Sequence, residues 1–152
     1  MPTPDLEKIV ERLNGLQRQG VIGLHAIGGA FAFIFYAEPI TTRDLDVFGY
    51  SSEGDAVLIE GFPVQFLPAP TPLVREALLE ARSVKVGRQK TRVFTAEHAV
   101  AVALQTNRAT DRLKIEHLIE SGREPLDERR LTAILKAHGL EERWKKFLEA
   151  RR

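Results

Sequence analysis

Two carboxylates stand two residues apart in the segment Thr41-Thr42-Arg43-Asp44-Leu45-Asp46-Val47-Phe48, and a glycine pair, Gly28-Gly29, precedes them by a short apolar run. Alternate residues of a strand point the same way, so Asp44 and Asp46 can share one face and hold one hard cation between them. Leu45, Val47 and Phe48 are apolar, which places the carboxylates at the edge of a buried strand. There, two ionised groups repel each other unless a cation or hydrogen-bond donors compensate. Glycines at the start of a helix let backbone amides approach a phosphate closely. Phosphate cradle and carboxylate pair together are the minimum for metal-assisted transfer of a nucleotidyl group. The glycine pair is neither a Gly-x-Gly-x-x-Gly fingerprint nor a P-loop, because no Lys-Ser/Thr follows it. Its plainer alternative is a strand-to-helix turn that needs small residues for packing. A calcium loop over Asp44, Asp46, Gly49 and Asp55 fails, because Phe48 fills a ligand position and Asp55 stands where Glu belongs.

These residues need elements to hold them. Leu6, Ile9, Val10, Leu13 and Leu16 at helical spacing predict a helix from about Asp5 to Gln19, started by Thr3 or Pro4 and ended by Gly20. Val21 to Ile27 reads as a buried strand, and Gly28-Gly29 as the turn into a short helix reaching Tyr36. That helix is apolar on nearly every side, as a core helix is. Asp44 to Tyr50 reads as the second strand and Ser51 to Asp55 as a loop. Ala56 to Glu60 and Pro63 to Leu67 are two further strands, or one long bent one. A helix from about Leu73 to Ala81 follows the proline-rich turn at 68–72. Ser83 to Val86 and Thr91 to Phe94 make a hairpin around Gly87-Arg88-Gln89-Lys90. From Thr95, a good N-cap, the pattern is helical throughout: to about Gln105, then 110–120, 127–138 closed by Gly139, and 140–150. The expectation is α+β: one domain over 1–152, with a mixed α/β core to about residue 94 and a helical cap from about 95.

Taken together, strand, glycine pair, apolar helix and Asp-x-Asp resemble the nucleotidyltransferase superfamily typified by DNA polymerase β. The phrases Gly28-Gly-Ala-Phe-Ala, Tyr36-Ala-Glu-Pro and Thr42-Arg-Asp-Leu-Asp-Val47 are most similar to the small bacterial AbiEii-type, toxin-related nucleotidyltransferases. Phe94-Thr-Ala-Glu-His-Ala and Leu104-Gln-Thr-Asn-Arg108-Ala-Thr-Asp-Arg-Leu-Lys-Ile115 resemble their C-terminal helical segment. The resemblance implies that Asp44 and Asp46 bind catalytic divalent metal, Mg²⁺. It further implies that Gly28 and Gly29 seat a nucleoside triphosphate and that Thr42 or Arg43 supports it. The reaction implied is attack by a hydroxyl of a macromolecular acceptor, RNA or protein, with release of pyrophosphate.

Two departures bear on turnover. The superfamily carries a third carboxylate, metal ligand and base, on a later strand; the matching segment here is Gly61-Phe-Pro-Val-Gln-Phe-Leu67, with Gln65 at that place. Glutamine can ligate through its carbonyl but carries no charge and takes no proton. Glu60 is the neighbouring substitute, with a surface role as its alternative. The family's helix lysine near Ala103 is also missing, while Arg108, Arg112 and Lys114 lie on a helix expected to face the cleft. The rival to an enzyme is therefore a nucleotidyltransferase-fold binding protein without turnover, a partner in a toxin-antitoxin-type module.

The remaining features set bounds. A chain of 152 residues with 43% hydrophobic and 28% charged residues is of ordinary globular composition, and a net charge of +1 predicts no general attraction to nucleic acid. Cysteine is absent, which excludes disulfides, thiolate catalysis and cysteine metal sites. No run approaches the ~20 apolar residues of a membrane span, and no signal peptide is read at the start, so the expected location is the cytoplasm. Arg82, Lys85, Arg88, Lys90 and Arg92 form a basic stretch without an acid. It is read as a solvated hairpin face or, alternatively, an anion-binding one. His25, His98, His117 and His138 show no metal-ligand spacing and are read as structural or exposed. Trp144, Phe147 and Leu148 share one side of the last helix, as core or as the face of a homodimer.

Overall fold

The structure, a computed structural model, describes residues 5–38, 42, 44–49 and 57–151. The readings of Thr3, Pro4, Arg43 and the loop from Ser51 to Asp55 therefore lie outside the described residues. Among the described residues, seven helices and a mixed six-stranded sheet make an α+β fold.

Helix α1 (Leu6–Arg18) buries Ile9, Val10 and Leu13 and is capped by Asp5, whose carboxylate accepts from the Lys8 amide at 3.2 Å. The residues after it are not a strand as far back as Val21. Gly20, at φ +76°, turns the chain, and the amides of Val21 and Ile22 both donate to the Leu16 carbonyl, at 2.9 and 3.3 Å. Those residues finish the helix, and Val21 is left 63% exposed. Strand β1 (His25–Gly28) is buried at every position, and α2 (Gly29–Tyr36) follows without a connecting residue.

Strand β2 (Leu45–Gly49) runs antiparallel to β1 and pairs on its other side with β4 (Phe62–Pro68), in parallel. A hairpin joins β3 (Val57–Ile59) to β4 through Glu60 and Gly61, both left-handed at φ 51° and 75°, as a type I′ turn requires. Of the two sequence readings, two strands rather than one bent one is correct. After α3 (Pro72–Leu79), capped by Thr71, a second hairpin pairs β5 (Arg82–Val86) with β6 (Gln89–Val93). Its loop is two residues, Gly87-Arg88, shorter than the four expected, because glycine at φ +62° in the first position makes a two-residue turn. Strand β6 runs parallel to β1, giving the order β3-β4-β2-β1-β6-β5.

The sheet's side chains alternate. Leu45, Val47, Val64, Ile27 and Val93 are fully or almost fully buried in the core, while Asp46, Phe48, Gln65 and Leu67 turn toward a cavity. Helices α4 (Ala96–Thr106), α5 (Ala109–Ser121), α6 (Glu128–Ala137) and α7 (Glu141–Ala150) follow. Thr95 caps α4 and Asp127 caps α6; the Arg143 side chain donates to the Leu104 and Gln105 carbonyls at the end of α4. Trp144 stacks on Phe147 with ring centroids 5.4 Å apart, Phe147 enters the core and Leu148 stays 42% exposed. Among the described residues, no helix is long and apolar enough to cross a membrane.

Candidate functional site

Asp46 is the second residue of β2, and its partner in register on β4 is Gln65. Parallel neighbours on one face place the two side chains together, so Gln65 stands beside the carboxylate at the wall of the same cavity. Gly29 opens α2 at φ +59°, and a Cβ there would come within 2.3 Å of an Asp46 carboxylate oxygen. The carboxylate is thus laid against the backbone at a helix N-terminus, an approach that only glycine permits. Gly28 has a different reason. Its backbone is extended, and a Cβ would meet the rings of Phe48 and Phe94 at 2.6 and 2.8 Å. Its smallness serves packing, the plainer of the two sequence readings.

The cavity encloses about 750 Å³. Phe48 and Phe94, with ring centroids 5.0 Å apart, form an aromatic wall; Val74 of α3 and Val102 and Ala103 of α4 continue it in aliphatic side chains. Charge enters from one end. Arg108, Asp111 and Lys114 all line the cavity from the start of α5. Asp111 accepts from Arg108 Nε at 2.8 Å, from the Arg108 amide at 3.1 Å and from the Thr106 hydroxyl at 2.7 Å, and Lys114 Nζ lies 3.6 Å away. Asp111 is 3% exposed and reaches back to the N-cap amide, half of a capping box. Burial alone would raise its pKa, but these hydrogen bonds outweigh burial and hold it at about 2.

Asp46 is shifted the other way. Desolvation first, then the negative charge of Asp44, raise its pKa to about 6, although Lys114 and Arg108 pull it down. Its charge is therefore only partly compensated. A hard cation bound by oxygen donors is the group that would complete the compensation, and carboxylate, carboxylate and amide carbonyl are such a donor set.

Asp46, Gly29, Gln65 and Lys114 meet at the cavity. Asp44 lies just before β2, close enough for its charge to act on Asp46. Thr42 donates its hydroxyl to the Asp44 carbonyl at 3.0 Å and so braces the approach to the strand. Arg112 donates to the Asn107 carbonyl at 3.0 Å and does not line the cavity; Arg108 lies there instead. Glu60 sits in the β3–β4 turn, 3.4 Å from Arg12, and takes no place beside Asp46. Ala103 does line the wall, and Lys114 of α5 lines the same cavity. The burial of Asp111 is not legible in the sequence, because nothing local to a helix start tells that the residue will be buried.

In the basic stretch, Arg92 is taken up by the fold. Arg92 donates to the Leu78 carbonyl at 2.6 Å, the Leu79 carbonyl at 3.2 Å and the His25 carbonyl at 3.3 Å, closing the C-terminus of α3. The Arg88 amide donates to Glu7 of α1 at 3.0 Å. His25 Nδ1 lies 3.2 Å from the Gly23 carbonyl, and His117 Nε2 lies 2.6 Å from the Glu38 carbonyl; both serve the fold.

No family model matches the chain, and no curated protein matches it. Among solved structures, it is similar to an antigenic nucleotidyltransferase-like protein from Paracoccidioides brasiliensis, with a TM-score of 0.54 at 15% identity, over 96% of this chain and 93% of that one. The likeness is one of fold, and the fold is nucleotidyltransferase-like.

Proposed function

We propose that the cavity binds a nucleoside triphosphate together with Mg²⁺ held by Asp44 and Asp46, and that the chain passes a nucleotidyl group to a hydroxyl of an RNA or protein acceptor in the cytoplasm. The observation that carries this reading is Asp46 itself: a carboxylate raised to about 6 by burial and by Asp44, facing a cavity of nucleotide size on a nucleotidyltransferase-like fold. The Mg²⁺ ion supplies charge neutralisation for the triphosphate and the departing pyrophosphate. Phe48 and Phe94 offer aromatic surface to the base. Lys114 and Arg108 offer positive charge to the phosphates from the α5 end, and Asp111 orients both. Gly29 lets the Asp46 carboxylate lie close against the backbone at the α2 N-terminus. Thr42 steadies the main chain at Asp44, and the contribution of Arg43 belongs to the same proposal.

Gln65 favours a second reading, the same nucleotide site without turnover, in a binding protein that works as a toxin-antitoxin-type partner. Gln65 cannot accept the acceptor's proton, and Asp111, the other cavity carboxylate, is held at about 2 and is a poor base. The test is calorimetric titration with each of the four ribonucleoside triphosphates, with and without Mg²⁺, on the native chain and on Asp44→Asn/Asp46→Asn. Metal-dependent binding weakened at least tenfold in the double variant is the expected outcome. Binding without label transfer from an α-labelled nucleotide selects the second reading. A folded protein that binds no nucleotide overturns both.

A further inference from the structure

A second constellation lies outside the cavity, where α3, α4 and the end of α6 meet. Glu76 and Glu80 are four residues apart on α3 and its C-cap, so their carboxylates leave the same helix face. His98, in the first turn of α4, has no exposed surface, and its Nε2 lies 2.9 Å from Glu76 Oε2 and 4.0 Å from Glu80 Oε2. The three ligand atoms fall within 4.8 Å of one another. His138, the C-cap of α6, brings its own Nε2 to 3.2 Å from Glu76 Oε2. That contact has the length of an ion pair, and among the described residues this buried nitrogen has no well-aligned hydrogen-bond partner. The His98 ring is fixed from behind by the Thr95 hydroxyl, 2.9 Å from Nδ1.

We propose that Glu76, Glu80 and His98 form a binding site for a zinc-class divalent cation, with its fourth position left to water. One imidazole and two carboxylates are a zinc donor set, whereas Mg²⁺ takes oxygen ligands and keeps its waters. Metal–ligand bonds of 2.0–2.2 Å in a tetrahedron set the donor atoms about 3.4 Å apart, and the separations here of 2.9 and 4.0 Å straddle that value. An outer partner on the far ring nitrogen, Thr95 here, is the usual companion of a metal-bound imidazole. On binding, Nε2 of His98 would give its lone pair to the ion, and the neutral ring would carry its one proton on Nδ1, donating it to the Thr95 hydroxyl. The ion would tie α3 to α4, both of which also wall the cavity through Val74 and Val102.

The experiment is calorimetric titration of the full chain with Zn²⁺ alone, repeated on Asp44→Asn/Asp46→Asn so that the other carboxylate pair contributes nothing. One equivalent bound in both chains is expected, undisturbed by excess Mg²⁺ and weakened at least tenfold by Glu76→Gln. Glu80→Gln, a change at a half-exposed side chain that spares the fold, is expected to weaken it likewise. Co²⁺ in place of Zn²⁺ is expected to give the intense visible bands of a four-coordinate centre. Absence of Zn²⁺ binding in Asp44→Asn/Asp46→Asn, or binding unchanged by both glutamate substitutions, overturns the proposal.

Discussion

Asp46 holds its ionised form at a cost to the fold, and the sign of that cost can be measured. Its pKa rises from 3.8 to about 6 on folding, with desolvation the larger cause and Asp44 the second. The unfolded chain therefore releases this proton at lower pH than the folded one, and stability falls as pH rises from about 4 to about 6. Above that window the loss is complete and on the order of 2 kcal/mol, given one pKa unit per 1.4 kcal/mol and some solvent access. Asp46→Asn removes the charge without removing the shape. It is expected to stabilise the cation-free protein by roughly that amount at pH 7 and by much less at pH 4, as read by urea denaturation at the two pH values. Equal effects at both would show that the carboxylate is not strained by its surroundings. Gly29 is the counterpart on the backbone side, since any side chain there would displace this carboxylate.

At the scale of elements, the boundaries that sequence made legible are those with a local chemical cause. Thr71, Thr95 and Asp127 each accept an amide hydrogen bond at a helix start, and Gly20 and Gly139 end helices in the left-handed region. The β3–β4 turn shows the same locality with a penalty. Glu60 occupies a left-handed position, φ 51°, that favours Asn or Gly, next to a glycine that suits it. Its pairing with Arg12 at 3.4 Å is a surface contact of little energy. Glu60→Asn is expected to stabilise the chain by about 0.5–1 kcal/mol, visible as a higher denaturant midpoint at unchanged slope. An unchanged or lower midpoint would assign the Arg12 contact more weight than its exposure suggests.

For the whole molecule, two carboxylates of one cavity pull in opposite directions. Asp111 has its pKa held near 2, so its contribution is present above about 4 and lost as pH falls through 4 toward 2. Asp46 loses stability on the other side of that point. Asp111→Asn is expected to lower the denaturation midpoint at neutral pH, equivalent to about 1–2 kcal/mol. It should also flatten the acid limb below pH 4, which a thermal-melt series across pH would record. The sequence carried the α+β class, the glycine turn and the acidic strand, because capping and alternation act within a few residues. It did not carry the order β3-β4-β2-β1-β6-β5, in which β1 and β6 pair across more than sixty residues. Nor did it reveal that Glu76, His98 and His138 converge, or that Lys114 reaches the cavity where Ala103 offers nothing. Those juxtapositions are set by helix docking, which no window of neighbouring residues encodes.

The packing around Gly28 leaves a constraint of another kind. Phe48 and Phe94 close over its Cα from two different strands' ends, and neither ring can move aside without opening the aromatic wall. Positions 28, 48 and 94 consequently share one fixed volume. Any drift that enlarges the first must shrink one of the others in the same lineage, so the three would be inherited as a unit although sixty-six positions separate the outermost pair.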